Sequence, residues 1–264
     1  MPLLDLHLLA LDPSTSARAF VEKLHRDAPE VKVLVASTPH HWVAKPKVHD
    51  VEDLGSPKWD LMLLTESSQN GQHWLTAMDS NVKKSYHLKV GVPRQVRAAY
   101  PELNAKLLRD AKSVPLTGSL DAKLNPQPST SQKLEFDDEL RSFMESFSKE
   151  RGEHQPVTML NLLCFKQDSQ EQYATYGKHF QQAGGRRGGN AKIVGTVVRD
   201  GKAPKHEEWW NEVAIVHYPS IQHFCDMAAG KDYQEINQKY RLPSLKDTIL
   251  LCTTELPQGG TSKL

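Results

Sequence analysis

Leu6-His7-Leu8-Leu9-Ala10-Leu11-Asp12 near the start of the chain and Leu160-Asn161-Leu162-Leu163-Cys164-Phe165-Lys166 far downstream read as two versions of one strand. Each is apolar apart from a single polar residue at the same place. Each is followed by a helix-like stretch. A strand then opens on Trp59-Asp60 in one half and on Trp210-Asn211 in the other. A spacing of about 150 residues is too long for a solenoid repeat, so the pattern predicts two copies of one small α+β unit. Two such sheets packed face to face would enclose a cavity, with the paired polar residues looking into it.

Working outward from these strands, the first half reads as a strand over 3–11, a helix from Ser14 or Ser16 to Asp27, and a β-branched strand over 31–37. A polar connection with Pro39, Pro46 and Gly55-Ser56-Pro57 follows, then a strand over 59–65. A helix begins after Val92-Pro93 and is expected to kink or break at Pro101, and 114–120 is expected to be the closing strand. Asn125-Pro126-Gln127-Pro128-Ser129-Thr130-Ser131 is linker composition. The second half has a leading helix over 136–150. It then runs strand (157–165), helix (to Ala183, stopped by Gly184-Gly185), two strands (191–198 and 209–218), helix (from Ser220) and strand (249–254). That order, βαββαβ, is the ferredoxin-like unit. The expected domains are residues 1–120, a linker over 121–134, a second unit over 135–257 and a tail over 258–264.

The 264 residues are enough for two such units. A net charge of +1 gives no electrostatic reason to expect nucleic acid as a partner. No apolar run approaches the roughly 18–20 residues that cross a bilayer, so no membrane is expected. The start of the chain lacks a basic residue before its apolar run, which argues for a strand and against a signal peptide. Cys164, Cys225 and Cys252 are widely spaced in apolar contexts, as reduced core thiols of a cytoplasmic protein would be.

From Pro156 onward the chain resembles the dimeric α/β-barrel superfamily, nearest a branch of unknown function. The resemblance rests on Met159-Leu160-Asn161-Leu162-Leu163, Phe165-Lys166, Tyr173, Tyr176, Gly184-Gly185, Trp210-Asn211-Glu212-Val213, Tyr218-Pro219-Ser220, Phe224, Met227 and Asp232-Tyr233-Gln234. It implies two ferredoxin-like units forming the barrel within one chain, as a monomer or a further homodimer. Relatives include cofactor-free monooxygenases, isomerases, decarboxylases and dehydratases, and haem-dependent enzymes. One fold hosts many chemistries, so the reaction stays open.

Four residues are candidates for catalysis. A polar side chain in the middle of an apolar strand needs a partner or a purpose. His7 shares a face with Asp5, Leu9 and Leu11, and is the expected general acid/base. Asn161, sharing a face with Met159 and Leu163, would orient or stabilise an enolate-type oxygen. Glu212 and His217 lie on opposite faces of one strand, so only one of them can reach the pocket. If the Val213–Ile215 side lines it, His217 is the choice; otherwise Glu212 is. Trp59, Trp210, Met159, His41 and Trp42 are candidate substrate contacts, although the two tryptophans also suit a barrel plug. Tyr173 and Tyr176 read as packing.

His40-His41-Trp42, with His49, would form a loop that is either a lid or a weak metal site; no complete ligand spacing supports a metal. His206-Glu207-Glu208-Trp209-Trp210 is no zincin helix, because Trp210 stands where the second histidine belongs. Gly184 to Gly189 lacks a following helix and reads as a turn, with Arg186 and Arg187 near the barrel mouth.

The expected function is cofactor-independent catalysis on an apolar, aromatic or polyketide-like small molecule held between the sheets. The alternatives are a non-catalytic binding protein and a haem protein.

Overall fold

The computed structural model describes residues 1–66, 73–121 and 134–257. The linker expected at 121–134 falls almost entirely outside these residues, and the tail at 258–264 falls wholly outside.

Eight strands form one closed antiparallel barrel in the order β1-β3-β2-β8-β5-β7-β6-β4. They are β1 (Leu3–Leu11), β2 (Val33–Ala44), β3 (Leu61–Glu66), β4 (Val82–Gly91), β5 (Val157–Phe165), β6 (Asn190–Val198), β7 (Glu212–Tyr218) and β8 (Leu245–Glu255). The first half carries α1 (Ala17–Asp27), the short α2 (Val51–Gly55) and α3 (His73–Ala77), and then α4 (Arg94–Asp110), which packs against β6 of the second half. Over the second lie α5 (Asp138–Arg151), α6 (Gln170–Ala183), α7 (Ile221–Ala229) and α8 (Lys231–Ile236).

Local chemistry sets several of the helix ends. Ser16 caps α1 by accepting from the Ala19 N–H at 3.1 Å, and Asp137 caps α5 by accepting from the Leu140 N–H at 2.8 Å. Pro101 lies inside α4 and does not break it.

The barrel is filled. Leu4, Leu6 and Leu8 of β1 meet Leu160, Leu162 and Cys164 of β5, and all eight strands contribute to this one core. The cavity expected between the sheets is therefore occupied by packed side chains. Side chains alternate along a strand, so Asp5, His7 and Leu9 face outward toward the helices, and so do Met159 and Asn161. Trp59 and Trp210 join the barrel core as plugs. The Trp59 indole N–H donates to the Leu54 carbonyl at 2.8 Å, and that of Trp210 to Asp50 Oδ2 at 3.2 Å.

Two sequence expectations are corrected. His40-His41-Trp42 is not a loop but the second half of β2, a 12-residue strand that passes from β3 to β8. Pro39 survives there because the β2–β8 register shifts between Pro39 and His41, at an irregularity that tolerates a missing N–H. The closing strand of the first half is β4, not residues 114–120. β4 escapes detection because its outer face carries Ser85, His87 and Lys89, while only Tyr86, Leu88 and Val90 meet the core.

The barrel closes through two unequal seams. β2 and β8 pair from Ser37–Glu255 to Ala44–Leu250, whereas β4 and β6 pair only over Lys89–Gly91 and Thr196–Val198. Residues 114–120 serve as a strap instead of a strand. Backbone N–H groups of Thr117, Ser119 and Leu120 donate to the Asp226 carboxylate of α7 at 2.9, 2.7 and 3.2 Å. Arg187 holds the same carboxylate at 3.1 Å and also pairs with Asp232. Arg187 is thus committed to protein carboxylates and does not present an anion site at the barrel mouth.

Candidate functional site

A cavity of about 690 Å³ lies between the outer face of the β5–β8 sheet and helices α6, α7 and α8. That is within the range of small-molecule sites. Met159, Ala214, Val216 and Leu250 form its sheet wall, and Phe180, Phe224 and Met227 its helical wall. Leu107 of α4 reaches it from the first half.

Few polar groups reach this apolar space. Glu212 stands at the first position of β7, opposite Leu163, and lines the cavity. Its carboxylate has no hydrogen-bonding or ionic partner among the described residues, and burial pushes its pKa up from 4.5 to about 7. Asn161 also faces the cavity. Its Nδ2 donates to the Met159 and Ala214 carbonyls at 3.1 and 3.3 Å. Because both partners are acceptors, the amide orientation is fixed and Oδ1 is the atom left for a ligand. Asn161 thus offers an acceptor to a ligand, while its Nδ2 is engaged by backbone carbonyls.

Four tyrosines line the space: Tyr173, Tyr176, Tyr218 and Tyr233. The Tyr176 and Tyr233 hydroxyls lie 3.3 Å apart, and Tyr218 donates to the Met227 sulfur at 3.3 Å. Burial raises all four phenol pKa values, so they act as neutral hydroxyls. Tyr173 and Tyr176 thus stand on the cavity wall as well as packing on one another, with rings 5.2 Å apart.

Arg241 completes the lining. It ends a π-helical turn, Asn237–Arg241, and is 2% exposed. Its Nη2 donates to Thr248 Oγ1 at 3.3 Å. Insertions of this kind re-aim side chains and recur at functional sites. Sequence reasoning missed Arg241. Its only trace is an arginine set between Tyr240 and Leu242-Pro243.

Other candidates lie elsewhere. His7 is on β1, four strands from β5 in either direction round the barrel. It does not share a cavity with Asn161. Its ring is fully buried, 5.1 Å from Trp74 and 4.8 Å from His87, which itself bonds Asp5 at 2.7 Å. His217 faces the barrel interior, on the same side of β7 as Val213 and Ile215. It lies close to Lys192, whose Nζ donates to Asn104 Oδ1 at 2.8 Å and pairs with Glu255. Burial, and then the Lys192 charge, lower the His217 pKa to about 3. Of the two alternatives, His217 thus faces the packed interior between the sheets, where the cavity was expected, and Glu212 lines the cavity found on the outer face.

The substrate contacts expected at Trp59, Trp210, Trp42 and His41 are absent from this cavity. Trp42 packs on the barrel core, and His41 stacks on Phe143 of α5 at 4.3 Å. Met159 alone of that group lines it. His49 approaches the Cys164 sulfur at 3.3 Å. No cluster of three metal-ligating side chains occurs among the described residues. All three cysteines are buried free thiols. No described helix is long and apolar enough to cross a membrane.

No family model matches the chain, and no curated protein matches it. Among solved structures it is similar to a Rhodopseudomonas palustris protein of unknown function, at 28% identity over 43% of this chain and 94% of that one, with a TM-score of 0.34. It is also similar to a Lactobacillus acidophilus protein provisionally named a monooxygenase, at 8% identity over 96% and 93% of the two chains, with a TM-score of 0.43. A Fusobacterium nucleatum protein with the same provisional name matches at 8% identity over 98% and 95%, with a TM-score of 0.46.

Proposed function

We propose that the chain is a cofactor-independent enzyme in which Glu212 moves a proton on a largely apolar, aromatic or polyketide-like molecule held in the second-half cavity. The observation that carries this reading is the Glu212 carboxyl, set in an apolar wall and pushed up to about 7 by burial. A group with that value is half ionised near neutrality and can both accept and donate a proton. Asn161 Oδ1 accepts a hydrogen bond from the ligand, and the Tyr173 hydroxyl donates one. A wall with Asn161 alone would favour simple binding; Glu212 beside it supports catalysis. The described lining holds no histidine to ligate haem. We further read residues 1–120 and 135–257 as two ferredoxin-like copies of one unit. The strand orders β4-β1-β3-β2 and β8-β5-β7-β6 support this.

Glu212→Gln tests the assignment. The folded carboxyl binds its proton more tightly than the unfolded one, so native stability falls as pH rises from 4.5 through about 7. The variant is therefore expected to unfold later in urea than the wild type at pH 8, by up to about 3 kcal/mol, and to show no gain at pH 4. A carboxyl ¹³C resonance that vanishes in the variant should titrate near 7; a midpoint near 4.5 sinks the assignment. Deuterium uptake by 2-tetralone, an enolisable aromatic ketone, is expected to be accelerated by the wild type. The variant should lose roughly 10²–10⁴-fold of that rate.

A further inference from the structure

We infer that the ligand of this cavity is a carboxylate, with Arg241 and the Tyr173 hydroxyl gripping its anionic end while its apolar body lies against the methionine and phenylalanine walls. The inference rests on the cavity being the functional site and adds the class of molecule that it accepts.

Three observations lead to it. First, an arginine is rarely buried without a task, because its charge cannot be removed by deprotonation. Arg241 is 2% exposed and still lines the cavity. Second, the backbone is irregular at this residue: α8 gives way to the π-helical turn that ends on Arg241, and Thr248 Oγ1, itself anchored on the Leu162 carbonyl at 3.1 Å, accepts from the guanidinium. The side chain is thus held from both the helical layer and the sheet, as preorganised recognition requires. Third, the phenols around it remain protonated, and the Arg241 charge is felt at Tyr173, Tyr176, Tyr218 and Tyr233. Tyr218 donates to the Met227 sulfur, and Tyr176 and Tyr233 bond one another, which leaves the Tyr173 hydroxyl to donate. A guanidinium framed by neutral hydroxyls matches the planar geometry of a carboxylate. Tyr173 lies within electrostatic reach of both Arg241 and Glu212, and all three line the same cavity.

Glu212 would repel an anion if ionised. At about 7 it is mostly protonated in mildly acidic solution, so the two functions are compatible there.

The test is calorimetric titration of the full chain at pH 6 with 2-naphthoate and with 2-naphthamide, its uncharged isostere. Naphthoate is expected to bind at least about tenfold more tightly, as a charged hydrogen-bonded pair in an apolar site should. Arg241→Met is expected to erase that ratio and to leave naphthamide affinity within about twofold. Arg241→Lys should keep part of the ratio, since it keeps the charge and loses the fork. Circular dichroism in the near ultraviolet checks that each variant retains native packing; should the methionine variant lose it, the lysine variant and the wild-type ratio decide. Equal binding of the two probes, a ratio that survives in Arg241→Met, or no binding of naphthoate overturns the inference. Glu212→Gln separates the two proposals. If the acid/base role is wrong and the anion grip right, deuterium uptake is unaffected by this variant while the naphthoate preference persists. If only the grip is wrong, the preference is missing while the Glu212 titration stays near 7.

Discussion

Asp226→Asn is expected to destabilise the native state by about 3–5 kcal/mol, the usual cost of removing one partner of a buried ion pair. Asp226 is fully buried and accepts from three residues of the strap: Thr117 through both its backbone and its hydroxyl, Ser119, and Leu120. It also neutralises Arg187, which is 3% exposed. Burial alone would raise its pKa, but the Thr117 hydrogen bonds and the Arg187 charge outweigh that and hold the pKa below 3.8. An asparagine offers one oxygen where two are used, and turns an N–H₂ group toward N–H donors. Arg187 keeps Asp232, so its charge is not wholly stranded. The strap would lose its carboxylate anchor on α7 and keep the His223 bond to the Val114 carbonyl at 3.0 Å and the Arg187 bond to Ser119 Oγ at 2.9 Å. Urea unfolding followed by tryptophan fluorescence measures the effect; a loss under about 1 kcal/mol would show that the Asp226 anchor is dispensable.

The second large effect concerns acid. Burial, reinforced by the charge of His87 and opposed by Asp5, lowers the His7 pKa from 6.5 to about 3. Both ring nitrogens are buried without a hydrogen-bond partner among the described residues. The unfolded chain therefore binds a proton at His7 that the folded chain refuses. Stability from this residue is full above pH 6.5 and lost as pH falls toward 3. Between pH 6.5 and pH 4 the loss reaches roughly 3 kcal/mol. His7→Leu is expected to abolish that share of the acid sensitivity and to be no less stable at pH 7, since it also removes two unpaired polar atoms. His217, lowered to about 3, and His40, lowered to about 4, keep the remaining slope. Urea midpoints at pH 7, 5.5 and 4 decide the matter, and parallel curves for variant and wild type would refute it.

The repeat of Leu6 to Asp12 in Leu160 to Lys166 made the paired strands legible, because an apolar strand with one polar break is a strong local pattern. It did not show which face the break occupies. Alternation places His7 and Asn161 on one side of their strands, but nothing local says whether that side looks into the barrel or out at the helices. That depends on which face finds the larger apolar surface, and here eight strands supply Leu, Val and Ile to the inside. The conditional choice between Glu212 and His217 was readable for the same reason, and needed only the sign of the face. β4 was illegible because its outer face is solvated, and the second half of β2 because Pro39 and Pro46 mimic a loop. Arg241 was invisible because a π-helical turn has no sequence signature of its own.

The unequal seams give the ring a spine and a clasp. Along β2–β8 the two halves are joined over most of a long strand; along β4–β6 only three residues on each side meet. Opening is therefore expected to start at the clasp, where few backbone hydrogen bonds must break together, and to leave the spine intact. The amide protons of Thr196 and Val198, which alternation turns toward β4, are accordingly expected at the labile end of the exchange spectrum and those of β8 at the protected end, whereas Val197 donates to the Asn211 carbonyl at 2.9 Å and does not depend on this seam. A barrel hinged this way can part its walls on one side without losing the pairing that relates its halves.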